Sequence, residues 1–307
     1  MSTSMIKYLI GIDGGATKTI ARITSTDTRE QAIPVELTAG SCSLSQNFEQ
    51  ASSTVKQLIT ELMQLVNCQA KQVSIAMGLA GAGNDELKQQ FSQDLYQYFQ
   101  INEGQLLVTT DAETSLFGAN NGQAAVCLAL GTGSVAMSLD GDGRLKIFGG
   151  WGASIADEGG AVFIGKQAVR TMLWEYDQND SFESDLAIKI SEDLGNNRTQ
   201  ILNWLSQANA VDYAKLAPLV TQLKDNCPVA LKVFLEHIKQ VEILAKTALK
   251  PNNIPLILLG GLAEITAPYL SDNLKGRLLS PQGNSVDGAC LLARRQLTKQ
   301  QELNKCR

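Results

Sequence analysis

The feature that most constrains the fold is an apolar run near the start of the chain that ends in a carboxylate and two glycines. Residues 8–12 are apolar enough for a buried strand, and they lead into Asp13, Gly14 and Gly15. Glycine lets the backbone turn tightly and lets a bulky anion approach its N–H groups. We therefore interpret this segment as a strand that ends in an anion-binding turn. A hairpin turn without a ligand is the alternative.

The residues that follow the turn favour phosphate as the anion. Thr17 and Lys18 offer a hydroxyl and an ammonium group to phosphate oxygens, and Asp13 offers a carboxylate to hydrated Mg²⁺. The segment is not a Walker A loop, because Thr17 occupies the position at which that motif has a glycine before Lys-Thr. The pattern thus predicts a phosphate and magnesium site of another type.

Two further apolar runs end in the same kind of turn. One covers residues 125–130 and the other covers residues 256–259. Their turn residues are Gly131, Thr132, Gly133, Ser134, Gly260 and Gly261. The three turns resemble, in order, the phosphate-1, phosphate-2 and adenosine motifs of the actin, hexokinase and heat-shock-chaperone superfamily. This resemblance implies an α/β fold of two actin/hexokinase-like (ribonuclease H-like) domains, with an ATP and sugar cleft between them.

Length and charge limit the classes of protein to which the chain can belong. With 307 residues, it is large for a single core and fits two modest domains. A formal net charge of -5 and the lack of a Lys/Arg cluster argue against a nucleic-acid partner. No segment resembles a signal core or approaches a membrane span, so we expect a cytoplasmic protein without a membrane partner. The six cysteines form no Cys-x-x-Cys pair, which argues against a zinc or dithiol redox site.

The order of predicted elements suggests a duplicated α/β unit, in which three strands, a helical region and another strand occur twice. We predict strands over 6–13, 18–25, 32–38, 72–79, 105–110, 124–131, 134–139, 144–149, 255–260 and 277–280, and helices over 46–66, 85–98, 158–174, within 181–250, and over 262–272 and 286–300. We place the domains at 1–113 and 114–307. The first would hold the phosphate-1 motif and part of the sugar site, and the second the other two motifs. The last helix could pack back on the first domain.

Asp111 is the candidate for acid–base chemistry. It follows a predicted strand and opens a helix, and ligand sites of open α/β sheets lie at that edge. An N-cap role is the structural alternative. The only histidine, His237, sits in a helical pattern, so we expect another residue type to carry proton transfer. With three phosphate-type turns present, we favour Asp111 as a general base.

A second dense cluster of candidate residues lies between 148 and 161. Gly150 and Gly152 permit a close backbone approach, and Trp151 offers an apolar face to a sugar ring. Asp157 could accept hydrogen bonds from sugar hydroxyl groups. Helix capping is the alternative role for Asp157.

These motifs together resemble the hexosamine-kinase branch of the BadF/BadG/BcrA/BcrD-type ATPase family, which includes N-acetylglucosamine and glucosamine kinases. The segments that carry the resemblance are 13–18, 78–82, 110–112, 131–134, 149–159 and 281–289. The resemblance implies ATP with Mg²⁺ and the phosphorylation of an amino sugar at its 6-hydroxyl, with N-acetylglucosamine favoured over glucosamine. It also implies Asp111 as the base, Trp151, Gly152 and Asp157 as sugar ligands, and 260–261 near adenosine. A homodimer is compatible with it.

The chain departs from the family at Ser43. Members often have an asparagine here as a sugar ligand, whereas serine offers one hydroxyl and no amide. Asn47 is close enough in sequence to be a substitute. This departure leaves the choice between N-acetylglucosamine and glucosamine open. An acetyl group would need an apolar pocket and an amide partner, which the sequence does not identify.

Two other classes of function remain as alternatives. An ATP-driven activator of an iron–sulfur dehydratase, from the same broad family, would need a cluster-binding cysteine. Cys127 lies near the second glycine turn but within an apolar run, so we interpret it as a core residue. A sugar-responsive repressor is a weaker alternative, because no basic DNA-reading helix precedes residue 6.

Overall fold

The structure is a computed structural model in which residues 6–15, 17–27, 34–250 and 253–305 are described. The chain divides by its internal contacts into two units. The first comprises Met1–Gln123 with Pro281–Arg307, and the second comprises Ala124–Ser280. No helix within the described ranges combines the length and apolar character that crossing a lipid bilayer requires.

Nine strands and twelve α-helices occur in the described ranges. The strands are β1 (Tyr8–Gly14), β2 (Thr19–Ser25), β3 (Val35–Ala39), β4 (Val73–Leu79), β5 (Leu106–Thr109), β6 (Ala125–Leu130), β7 (Ser134–Leu139), β8 (Leu145–Gly149) and β9 (Leu256–Leu259). The helices are α1 (Phe48–Leu65), α2 (Asp85–Phe99), α3 (Asp111–Ala119), α4 (Ala161–Asn179), α5 (Asp185–Leu194), α6 (Arg198–Gln207), α7 (Ala210–Ala214), α8 (Ala217–Leu223), α9 (Pro228–Leu249), α10 (Ala263–Thr266), α11 (Asp272–Lys275) and α12 (Ser285–Lys305).

The first unit is built on a five-stranded sheet in the order β3-β2-β1-β4-β5. β1, β2 and β3 are antiparallel neighbours, whereas β4 and β5 run parallel to β1. Ile10 and Ile12 of β1 join the core cluster that contains Val55 of α1 and Phe91 of α2. On the other face of β1, a Cβ atom on Gly11 would lie 2.6 Å from the Cys290 sulfur of α12. Helices therefore cover both faces of the sheet.

The second unit is built on a four-stranded sheet in the order β8-β7-β6-β9. β6, β7 and β8 form an antiparallel meander, and β9 lies parallel to β6. Leu128 of β6 packs in one cluster with Ile164 of α4 and Phe234 of α9. In both units, the opening strand thus lies between an antiparallel neighbour and a later parallel strand. This repetition places the glycine turns at the carboxyl ends of parallel strands, where α/β sheets bind ligands.

Two predicted elements near the end of the second unit are wrong. The helix expected over 262–272 is instead α10, a 3₁₀ turn over Ala267–Tyr269 and α11. Pro268 lacks a backbone N–H, and Ser271 is extended, so one continuous helix cannot form. The strand expected over 277–280 is only a single bridge between Leu256 and Leu278. Residues 32 and 33 of the expected third strand lie outside the described residues.

The boundary expected between residues 113 and 114 would cut α3 in the middle. In the structure, α3 is continuous through Ala119 and lies wholly in the first unit, as does α12. The two helices pack closely at glycines. A Cβ atom on Gly118 of α3 would lie 1.9 Å from the Asn284 backbone oxygen, which precedes α12. A Cβ atom on Gly288 of α12 would lie 1.9 Å from the Thr114 backbone oxygen of α3. The division therefore falls after Gln123.

Candidate active site

Asp13 and Asp111 come together at the carboxyl ends of the first sheet. Asp13 lies on the same face of β1 as Gly11, which faces α12. Its register partner on β4 is Gly78. A Cβ atom on Gly78 would lie 2.1 Å from the hydroxyl oxygen of Thr114. Glycine at this position therefore lets the first turn of α3, which begins at Asp111, lie against the ends of the strands.

The pKa of Asp13 reports the interaction between the two carboxyl groups. Burial and the charge of Asp111 raise this pKa from 3.8 to about 6, although a hydrogen bond from Ser285 acts in the opposite direction. Within the described ranges, neither carboxylate has a Lys or Arg partner at ion-pair distance. Within these ranges, no Lys or Arg side chain therefore neutralises the pair at close distance.

This carboxylate pair fits a magnesium ion. Mg²⁺ is a hard cation that is usually held by one or two carboxylates together with water and substrate phosphates. The described part of the chain contains no cluster of three or more His, Cys, Asp or Glu side chains arranged for a metal. Asp13 and Asp111 supply the number and type of carboxylates with which a protein commonly holds Mg²⁺ beside a nucleotide.

Two serine hydroxyl groups link α12 and α3 to the aspartate pair. Ser285, the first residue of α12, donates to the Asp13 carboxylate. The Ser115 hydroxyl lies 2.8 Å from that of Ser285 and 2.8 Å from the backbone oxygen of Asp111. Ser285 lies in the motif 281–289, but local sequence does not reveal its role, because Asp13 is distant along the chain and Ser115 is 170 residues away.

The capping role at the start of α3 belongs to Thr110 rather than to Asp111. The Thr110 hydroxyl accepts a hydrogen bond of 3.2 Å from the backbone N–H of Glu113, and its backbone is extended as in an N-cap. Asp111 is the first helical residue, and one of its oxygens accepts from the Ala112 N–H at 2.9 Å. Its carboxylate remains partly exposed at the strand ends. Helix capping therefore does not account for an aspartate at this position.

The first glycine turn connects β1 to β2. Gly14 is buried, and a Cβ atom there would lie 2.5 Å from the Leu79 side chain. The Gly15 N–H donates to the Lys18 backbone oxygen at 3.0 Å, and Ala16 lies outside the described residues. The side chains of Thr17 and Lys18 are exposed. Both side chains are thus accessible from solvent.

Ser43 lies beside this turn but is buried. The backbone N–H of its neighbour Cys42 donates to the Gly15 backbone oxygen at 3.0 Å, and this bond holds the segment against the turn. The Ser43 hydroxyl is 3.2 Å from that of Ser45. Asn47, the suggested substitute, is the N-cap of α1 and accepts from the Gln50 N–H at 3.0 Å. The structure therefore gives Asn47 a capping role and leaves the Ser43–Ser45 hydroxyl pair near the turn.

The second glycine turn lies against the N-terminus of α4. The backbone oxygens of Gly131 and Thr132 accept from the N–H groups of Ala161 and Val162 at 2.8 and 3.0 Å. Gly131 and Thr132 are exposed. The Ser134 hydroxyl is buried and donates to the backbone oxygen of Glu158 at 2.7 Å. Its hydroxyl therefore holds the loop before α4, which the sequence did not indicate.

Asp157 links the second glycine turn to the loop that carries Trp151. Its Oδ1 accepts from the Gly152 N–H at 3.0 Å, and its Oδ2 would lie 2.3 Å from a Cβ atom on Gly133. Asp157 adopts a left-handed backbone with φ 63°, which costs free energy in a non-glycine residue. The N-cap of α4 is Gly160. Capping of α4 therefore does not explain Asp157 either.

Trp151 is 82% exposed, between Gly150 and Gly152, which both have positive φ. A core role beneath the glycine loop is thereby excluded. Trp151 and Asp157 both line a cavity of about 350 Å³ in the second unit. Ser134 lines this cavity as well, so three of the sequence-predicted candidates of this unit share one concave surface.

The third glycine turn lies beside the second. Gly260 has φ 93°, and a Cβ atom there would lie 2.4 Å from the Leu130 backbone oxygen. The same oxygen accepts from the Leu262 N–H at 3.2 Å. Because β6 and β9 are parallel neighbours, Gly261 reaches the same sheet edge as Gly131. The structure thus brings together the two motifs that the resemblance assigns to phosphate and adenosine.

His237 has a structural role. It is fully buried, and its Nδ1 donates to the Gly159 backbone oxygen at 2.7 Å. The Nε2 atom lies 2.9 Å from the Thr266 hydroxyl oxygen, and that hydroxyl donates to the Leu262 backbone oxygen at 2.6 Å. Burial lowers the pKa of His237 to about 4, so the ring stays neutral near pH 7. It joins α9 to the loop before α4 and to α10.

Comparison with known proteins extends the similarity to nearly the whole chain. The profile of the BadF/BadG/BcrA/BcrD ATPase family matches residues 10–293. The N-acetylmuramic acid/N-acetylglucosamine kinase of Clostridium acetobutylicum is 28% identical, with 94% of this chain and 99% of the relative covered. The glucosamine kinase GspK of Vibrio cholerae is 24% identical, with 94% and 96% covered.

Among solved structures, a protein from Chromobacterium violaceum that is assigned as an N-acetylglucosamine kinase is 29% identical to this chain. Its TM-score is 0.77, with 94% of this chain and 99% of that chain covered. The similarity in structure thus includes both units.

Proposed function

The chain belongs to the BadF/BadG/BcrA/BcrD ATPase family, and from this premise we propose that it transfers the γ-phosphoryl group of ATP to the 6-hydroxyl of N-acetylglucosamine. Relatives named for N-acetylglucosamine and glucosamine support an amino sugar as the acceptor. Glucosamine is the alternative acceptor.

The observation that carries this proposal is the pair Asp13 and Asp111 at the strand ends. Phosphoryl transfer passes through a loose transition state, so positioning and charge neutralisation supply most of the catalysis. In the proposal, Asp111 orients the sugar hydroxyl and takes its proton, while Asp13, held by Ser285, places the cation. Mg²⁺, when bound with ATP, would neutralise phosphate charge and the charge of the aspartate pair.

We assign phosphate binding to the first two glycine turns and adenosine binding to the third. The exposed Thr17 and Lys18 support the first assignment, and the exposed Gly131 and Thr132 support the second. Gly14, Gly15, Gly133 and Ser134 shape these turns. Ser134 is assigned to the phosphate with them, and its hydroxyl also holds the loop before α4. Gly260 and Gly261 would lie near adenosine.

We assign the sugar to Trp151 and Asp157, with Gly150, Gly152 and Ser43 as further contacts. Trp151 is exposed and lines a cavity, as a ring that stacks on a sugar face requires. We expect Trp151→Ala to raise the KM for the sugar roughly five- to a hundredfold. The apolar surface buried by a ring that stacks on the sugar contributes about 1–3 kcal/mol to the free energy of binding. The KM for ATP should change much less. Sugar should also alter the intrinsic fluorescence of the wild type.

The matched control is Trp174→Ala, since Trp174 is 66% exposed on α4 and lines no part of the cavity. It should leave both constants unchanged. If Trp151→Ala left the KM for the sugar unchanged, Trp151 would not belong to the sugar site.

The experiment that tests the proposed function is a coupled assay of ADP release over a panel of hexoses and hexosamines. We expect turnover that depends on the sugar, with the highest kcat/KM for N-acetylglucosamine. A higher kcat/KM for glucosamine would select the alternative acceptor. ATP hydrolysis that no sugar stimulates would contradict the proposal.

The position of Cys127 does not favour the iron–sulfur activator. Cys127 is fully buried within β6, and burial raises the pKa of its thiol to about 12. A cluster ligand must be a thiolate. Cys127 therefore fits the core role expected from the sequence.

A further inference from the structure

The cavity of the second unit lies between the end of β8 and the helix α9. Its apolar walls are Ile147 and Phe148 on the strand side and Ile243 and Leu244 on the helix side. Trp151 closes part of the same surface. Small-molecule sites are typically concave and apolar, with a few polar groups that set orientation.

We propose that this cavity binds the N-acyl group of the amino sugar and accepts neutral acyl groups longer than acetyl. The proposal rests on the function proposed above, because Trp151 and Asp157, assigned there to the sugar, line the same cavity. A sugar held by these two residues would have its substituents within reach of the walls formed by β8 and α9.

Gln240 supplies the polar group that an acyl amide needs. It lines the cavity, and its Nε2 donates to a carboxylate oxygen of Glu236 at 2.8 Å. A carboxylate oxygen only accepts, so this bond fixes which end of the Gln240 amide carries the nitrogen. The carbonyl oxygen of Gln240 is then the end that can accept the N–H of the acyl amide.

The size of the cavity indicates acyl groups longer than acetyl. A water molecule occupies about 30 Å³ of liquid, so about 350 Å³ holds on the order of ten non-hydrogen atoms. With the sugar ring at the rim, on the exposed face of Trp151, an acetyl group fills only part of this space. Each further methylene buried against the apolar walls would raise kcat/KM by up to about fourfold.

The charges around the cavity indicate neutral acyl groups. The ionisable residues that line it are Asp157 and Glu158, both acidic. Lys146 lies 4.8 Å from the centroid of the Phe148 ring but does not line the cavity. An acyl chain that ends in a carboxylate would therefore meet like charge.

The first test measures kcat/KM of the wild type for glucosamine and for its N-acetyl, N-propanoyl, N-butanoyl and N-succinyl derivatives. We expect the propanoyl and butanoyl sugars to stay within about threefold of the acetyl sugar or to exceed it. The succinyl sugar should fall at least about tenfold below the butanoyl sugar. A fall of tenfold or more between acetyl and propanoyl would overturn the proposal.

The second test fills the cavity with Ile243→Trp. We expect kcat/KM for the N-butanoyl sugar to fall at least about tenfold, with glucosamine and the KM for ATP within about twofold of wild type. The control is Leu235→Trp, a 47% exposed residue of the same helix that does not line the cavity. Gln240→Leu is a second variant, expected to weaken all N-acyl sugars but not glucosamine.

The outcomes separate this proposal from the proposed function. Phosphorylation of glucosamine without any N-acyl sugar would overturn the acyl cavity and leave phosphoryl transfer to an amino sugar standing. The acyl cavity would also be overturned if Ile243→Trp and Gln240→Leu each lowered kcat/KM equally for all sugars. If the wild type phosphorylates no sugar, the proposed function fails and the acyl cavity fails with it. Should Ile243→Trp not fold, the acyl series and Gln240→Leu decide the matter.

Discussion

Replacement of Asp111 by asparagine is expected to lower kcat by about a hundredfold to ten-thousandfold while the affinity for sugar stays within about tenfold. Loss of a general base typically has an effect of this size. Asparagine keeps the shape of the side chain and can still accept from the Ala112 N–H, so α3 should begin as before. Steady-state kinetics and a direct sugar titration measure the two quantities.

The matched control is Glu113→Gln, a change of carboxylate to amide in the same turn of the same helix. Glu113 accepts a hydrogen bond from the Thr109 hydroxyl and is not assigned to the substrate. This variant should keep kcat within about threefold. If Asp111→Asn retained more than about a tenth of wild-type turnover, Asp111 would not be the base.

The second large effect concerns Asp13→Asn, which should abolish activity and yet stabilise the fold at pH 8. Burial and Asp111 raise the pKa of Asp13 to about 6, so the folded chain favours the protonated form. The protonated Asp13 side chain makes its whole contribution to the free energy of unfolding below about pH 4. That contribution is lost as the pH rises through about 6. A neutral asparagine avoids this loss.

The size of the stability effect follows from the same pKa. A rise in the pKa of Asp13 from 3.8 to about 6 corresponds to a change of at most about 3 kcal/mol in the free energy of unfolding. Because Asp13 is partly exposed to solvent, we expect a change of about 1–2 kcal/mol. Denaturant unfolding at pH 4 and pH 8 tests it, with equal stabilities expected at pH 4. MgATP should stabilise the wild type more than the variant. A variant that is less stable than the wild type at both pH values would show that Asp13 is mainly structural.

Much of the fold could be predicted because apolar runs and glycine turns mark the strand ends directly. The fold class is confirmed: the chain has two mixed α/β sheets, and the Chromobacterium violaceum structure, with a TM-score of 0.77, matches both units. The family is confirmed as well. The strands that carry Asp13 and the second glycine turn lie within a residue or two of their expected positions. Local patterning is sufficient where burial alternates or is continuous along a strand.

The rest of the candidate site depends on contacts that local patterning does not contain. Ser285 reaches Asp13 only because α12 returns to the first sheet, close to β1 at Gly11. Gln240 and Ile243 look like ordinary residues of an amphipathic helix until β8 is placed beside α9. The broken helix near Pro268 and the lone bridge at Leu278 show how tertiary context overrides short apolar segments.

The most direct test of the central claim is ³¹P and ¹H NMR of the wild type with MgATP and N-acetylglucosamine. We expect ADP and a phosphomonoester whose phosphorus couples to the two protons on C6 of the sugar, with no product in the Asp111→Asn reaction on the same timescale. Inorganic phosphate without a sugar phosphate, or a phosphorus coupled to the anomeric proton, would contradict it.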